Sequence, residues 1–150
     1  MKLPTKIRES FRRHGRTGGQ ARAAGMTPEV RKSIARKAAT ARWVSKRFGS
    51  ASFEALGWPG GELVDKGLAA LAEGKITVES LVVSIAAPRL RREGVPIAFV
   101  HQDPEEQLFN LLSSSSGDLA HSRYGAHLRQ VSSFADACRR ARLERTDHAP

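Results

Sequence analysis

Arg12, Arg13, Arg16, Arg22, Arg31, Lys32, Arg36, Arg42, Lys46 and Arg47 are the residues whose type and spacing point to chemistry in this chain. That chemistry is electrostatic. Each such cation can neutralise a phosphate and release a counterion, and the small residues interleaved with them permit close approach to a polyanionic backbone. All ten fall in residues 1–48, where fourteen Lys and Arg stand against two acids, Glu9 and Glu29, a net of +12. Residues 49–150 hold 11 basic and 13 acidic side chains, a net of −2. A basic block joined to a near-neutral body reads as a nucleic-acid-binding arm on a separate module. Aromatics are few, six Phe, two Trp and one Tyr, which disfavours a base-stacking platform of the RNA-recognition kind and favours DNA over RNA.

Other chemistries lack their constellations. Cys138, the one cysteine, falls on the apolar period of the last helix and is expected to be a buried structural thiol. His121 and His127 are six residues apart, on opposite sides of a helix, and cannot clamp one metal locally. His101 and Asp103 lie at a connector, where capping is the simpler role for the Asp. The serine run 113–116 has no Gly-x-Ser-x-Gly elbow. Gly15-x-x-Gly18-Gly19 lacks the preceding strand of a phosphate loop, and Glu105 and Glu106 sit in a first helical turn, where acids belong. The expectation is a protein that is not an enzyme and carries no cofactor and no metal.

The elements that must position the cations read as helices. Residues 5–14 predict a short basic helix with Ile7 and Phe11 on one side, interrupted by Gly15, Gly18 and Gly19. Thr27-Pro28-Glu29 is a helix start. From it Val30, Ile34, Ala38, Ala41, Val44 and Phe48 form a narrow apolar stripe, with Arg31, Lys32, Arg36, Arg42, Lys46 and Arg47 opposite and Lys37 snorkelling beside it. Ala21, Gly25 and Thr27-Pro28 resemble the end of a first helix, the turn and the cap of a helix-turn-helix, but that pattern needs an apolar residue where Arg31 stands. Residues 49–61 are a Gly/Ser/Pro-rich hinge whose Phe53, Leu56 and Trp58 dock on the body.

In the body, residues 62–73 form a helix stopped by Gly74, and Thr77 caps the next, which Pro88 ends or kinks. Residues 95–100 are a short strand or extended connector. Asp103 caps a helix carrying Leu108, Leu111 and Leu112, and Ser113–Ser116 is a loop. Asp118 opens the last helix, on which Leu119, Tyr124, Leu128, Val131, Ala135 and Cys138 keep a helical period, and residues 146–150 fray. Arg89, Arg91, Arg92, Arg123 and Arg129 would widen the basic footprint if they converged.

The stretch GRTGGQARAAGMTPEVRKSIARKAATARW, residues 15–43, resembles a basic segment of small bacterial proteins, mostly uncharacterised, built on Gly-Gly, Ala-Arg-Ala, a Thr-Pro-Glu cap and an Ile-Ala-Arg-Lys-Ala-Ala-x-Ala-Arg-Trp helix. The resemblance implies a bacterial or phage-linked protein that binds nucleic acid; residues 60–145 resemble no family. The resulting expectation is an all-α chain: a basic helical arm over 1–48, then a hinge, then a compact bundle of four or five helices over 62–145. It would bind DNA through the arm and use the body for dimerisation or a protein partner, as antitoxins and transcriptional regulators do. Two alternatives share the electrostatics, an interaction module whose arm folds on an acidic protein and an RNA-binding protein. The basic start lacks a following apolar region, and the longest apolar run, residues 81–87, is too short to span a bilayer, so a cytoplasmic location without membrane attachment is expected.

Overall fold

Local hydrogen-bonding capacity sets most helix ends. The computed structural model describes residues 4–50 and 52–146, and over these the chain is all α-helical, without strands. Its elements are α1 (Thr5–Ala24), α2 (Pro28–Phe48), α3 (Gly61–Glu73), α4 (Val78–Arg92), α5 (Pro104–Ser116), a 3-10 turn (Gly117–Leu119) and α6 (Ala120–Thr146). Residues 147–150, most of the expected frayed tail, lie outside the described residues.

Thr27 Oγ1 accepts from Val30 N at 3.4 Å to start α2, and Gly49, left-handed at φ 70°, ends it. Thr77 and Ser80 cap α4 reciprocally, Ser80 N to Thr77 Oγ1 at 3.1 Å and Thr77 N to Ser80 Oγ at 2.9 Å, so a serine fills the place of the usual acid.

Four local expectations are corrected. First, α1 does not stop at His14 but runs unbroken through Gly15, Gly18 and Gly19 to Ala24. Glycine there costs conformational entropy but removes no helical hydrogen bond, so propagation continues. Second, Ser113–Ser116 is the end of α5 and not a loop. Ser114 Oγ donates to the Asn110 carbonyl at 2.8 Å and Ser115 Oγ to the Leu111 carbonyl at 3.0 Å, which satisfies the hydroxyls inside the helix while buried Leu112 anchors it. Third, of the end or kink expected at Pro88 the end does not occur: α4 continues to Arg92, with Ala87 and Leu90 fully buried and holding its last turn on the core. Fourth, Asp103 makes no side-chain cap. It adopts a left-handed φ of 43°, and Pro104 begins α5.

Residues 95–100 run along the edge of the core as an extended connector, with Val95 and Ile97 buried and Pro96, Ala98 and Phe99 exposed. Leu119 is 59% exposed, outside the buried stripe of α6, whereas Phe134, absent from the expected stripe, is fully buried.

The core is built from α3, α4, α5, α6 and the end of α2. Helices α3 and α4 cross closely at Gly67, where a Cβ would meet the Glu79 carbonyl oxygen at 2.6 Å. An aromatic cluster joins α2 to the body. Phe53, fully buried, lies with its ring centroid 4.8 Å from Phe134, 6.0 Å from Phe48, 6.1 Å from Trp58 and 6.3 Å from Trp43. Both tryptophans are therefore packing groups. Val44, 1% exposed, completes the seat, so the last two turns of α2 are part of the packed body although they belong to the basic segment.

The open surroundings of α1 give one expectation. No atom lies within 4 Å of a Cβ placed on Gly18 or Gly19. Gly18→Ala and Gly19→Ala should each stabilise α1 by about 1 kcal/mol, read as increased helical ellipticity and slower amide exchange in residues 15–24.

Candidate nucleic-acid interface

Two helices carry the cations, joined by the short turn Gly25–Thr27. Helix α1 buries no residue. Arg12, Arg13, Arg16 and Arg22 are all exposed on it. Arg12 and Arg16, one turn apart, share a face; Arg13 is turned about 100° from Arg12 at about 3.6 residues per turn. The packed pair of a helix-turn-helix is absent, since α1 does not settle on α2 or the body.

Helix α2 divides its cations between two sides. Arg31, Lys32, Arg42 and Lys46 are exposed. Arg31 and Arg42 lie nearly in line, eleven residues and about three turns apart, with Ala35 and Ala38 exposed beside them. Among the described residues none of Arg12, Arg13, Arg16, Arg22, Arg31, Lys32, Arg42 or Lys46 forms an ion pair. The outcome is a solvent-facing row of uncompensated cations on two helices.

Arg36 and Arg47 are placed differently, and here the expected facing of α2 is corrected. The inward side is Ser33, Arg36, Thr40, Trp43, Val44, Arg47 and Phe48, so the expected apolar stripe faces inward at Val44 and Phe48 alone; its Val30 and Ile34 are 46% and 48% exposed, and its Ala38 and Ala41 are exposed too. Arg47 lies over Trp43 and Phe48, its Cζ 5.4 and 5.8 Å from their ring centroids, with Nε buried. It is a packing cation. The missed signal is the 43, 44, 47, 48 spacing, a helical face as regular as the stripe and carrying two large aromatics.

Lys37 reaches the surface with its side chain 42% exposed. It pairs with Glu73 at the end of α3, where Lys75 also lies at 2.7 Å. Hydrogen bonds from Lys37 and then Lys75, reinforced by their charges, bring the Glu73 carboxyl down to about 2. A carboxylate held below its unfolded value stabilises the fold above that value, and the contribution is lost as the pH falls. The tie between α2 and α3 should thus be complete above the ordinary glutamate value of 4.5 and vanish as pH approaches about 2. A carboxyl-carbon NMR titration of Glu73 should show the low midpoint, and Lys37→Met should raise it.

Arg89, Arg91 and Arg123 do not extend the row. Arg89 donates to Ser132 Oγ and to Asp136 Oδ1, both at 2.6 Å, Arg91 to the Ile97 carbonyl at 3.0 Å, and Arg123 to Ser116 Oγ at 2.6 Å. These hold elements together.

Cys138 and His101 are structural in their surroundings. Burial pushes the Cys138 thiol up to about 12, leaving it protonated and inert at neutral pH. His101, 8% exposed, donates through Nε2 to the Lys75 carbonyl at 3.2 Å. Among the described residues no three His, Cys, Asp or Glu side chains gather to hold a metal ion, and no helix is long and apolar enough to cross a membrane.

An all-helical body presenting exposed cations on two N-terminal helices, the second of them seated on the body, is the class of architecture these features define. No protein-family model, curated protein or solved structure matches the chain.

Proposed function

We propose that this chain is a small bacterial DNA-binding protein of the cytoplasm, not an enzyme, that grips the phosphate backbone with α1 and the outer side of α2. The observation that carries this reading is the row of exposed cations without acidic partners, Arg12, Arg13, Arg16 and Arg22 on α1 and Arg31, Lys32, Arg42 and Lys46 on α2. A surface helix that served only solubility would mix signs, and these two carry Glu9 and Glu29 alone. The body holds α2 through the aromatic cluster. It also leaves Phe109, Leu111 and Leu119 exposed, a surface suited to a protein partner or a second copy, as in an antitoxin or regulator.

The test is titration of the full chain against a random DNA duplex, a single-stranded RNA and an acidic peptide, at about 50 and about 200 mM salt. Duplex binding that falls by about a thousandfold or more between these salts supports the reading, since each neutralised phosphate contributes a slope near −0.9. Preference for RNA, or binding of the peptide alone, replaces it with one of the alternatives. A chain shortened to begin at Gly49 is a poor control, because it also removes Trp43, Val44 and Phe48 from the packed body.

A further inference from the structure

Between α2, α3 and the connector 95–100 lies an open cleft of about 450 Å³. Its walls are apolar: Trp43 from α2, Leu68 and Leu71 from α3, Pro96 and Phe99 from the connector. Leu68 and Leu71 are core residues, 8% and 4% exposed, so that wall is fixed by the fold. Thr40, also at the cleft, donates its hydroxyl to the Arg36 carbonyl at 3.2 Å. That leaves Arg36 as the charged side chain at the site. It is half-buried, and among the described residues its guanidinium has neither an ion-pair nor a hydrogen-bond partner.

A preformed apolar cleft of this size with one polar anchor has the character of a small-molecule site. A guanidinium beside greasy walls, partly stripped of water and without an acid, is matched by a planar anion that it can grip through two parallel hydrogen bonds. We propose that the cleft binds a small amphipathic carboxylate, its carboxylate on Arg36 and its apolar tail between Trp43, Leu71 and Phe99. The proposal does not depend on what the cationic row binds, since Arg36 and Trp43 face the cleft whereas Arg31 and Arg42 face solvent.

The probe is decanoate, titrated into the full chain by calorimetry below its aggregation threshold, with backbone and indole NMR shifts to locate it. The expected result is saturable one-to-one binding with shifts centred on Trp43 and Phe99. Arg36→Gln should weaken decanoate by about tenfold or more, the loss of a charge-assisted pair. Neutral decanol should bind the unaltered chain that much more weakly, and Arg36→Gln should not affect it further. Ala39→Trp, at an exposed cleft position on α2, should block both ligands while circular dichroism shows the fold intact. Arg92→Gln, a surface arginine away from the cleft, should change nothing. No saturable binding, equal affinity in Arg36→Gln, or equal losses in Arg36→Gln and Arg92→Gln would overturn the proposal.

Discussion

Replacing Arg12, Arg16, Arg31 and Arg42 together by glutamine should lower duplex affinity by about a hundredfold or more at about 50 mM salt and flatten the salt slope by three to four units, at about −0.9 for each phosphate no longer neutralised. All four are exposed and without ion pairs, two on each helix. Glutamine retains helix propensity and length, so helical ellipticity and unfolding midpoint should stay close to those of the unaltered chain. Exchanging Arg47 alone should behave otherwise. Its guanidinium packs over Trp43 and Phe48, so Arg47→Gln should cost stability and leave the salt slope nearly unchanged. A quadruple variant with the original slope would mean that the cations are not on phosphates.

The second large effect concerns the seat of α2. Phe53→Ala should destabilise the fold by about 3–5 kcal/mol, measured by urea unfolding, as for other fully buried aromatics. That is a fifth or more of the total stability of an ordinary domain, about 5–15 kcal/mol. Phe53 is 0% exposed and touches the ring cluster from four sides, Trp43 and Phe48 of α2, Trp58 of the linker and Phe134 of α6. Its removal leaves a cavity where the basic helix meets the body, so tryptophan emission should shift to the red before global unfolding. Phe109→Ala, at a side chain 46% exposed, is the matched control and should fall within about 0.5 kcal/mol. Equal effects at the two positions would show that the cluster is not what holds α2.

How far the sequence could lead depended on the range of the interactions involved. Thr27 and Thr77 as caps, Gly74 as a stop, and Cys138 on a buried period depend on bonds and packing within a few residues, so neighbouring residue types suffice to read them. Charge segregation needs no structure at all. The interruptions expected at Gly15–Gly19 and Ser113–Ser116 failed for a local reason too. Propensity is a weak penalty that intact backbone bonds, or serine hydroxyls turned onto carbonyls four residues back, can offset.

The facing of α2 could not be read that way. Two apolar stripes ran along it. The expected one, through Val30, Ile34, Ala38, Ala41, Val44 and Phe48, turns inward only at its last two members, because alanine buries little area whereas Trp43 and Phe48 each bring a large apolar surface to the core. Only the body, through Phe53, Trp58 and Phe134, determines that the aromatic side turns inward. That choice carried Arg36 into a cleft and Arg47 onto the rings, and it left Arg31, Lys32, Arg42 and Lys46 in solvent. The sequence by itself determined how much positive charge the chain carries and that helices would display it. Tertiary packing decided which of those charges remain free, because burial of aromatic area outweighs an alanine stripe.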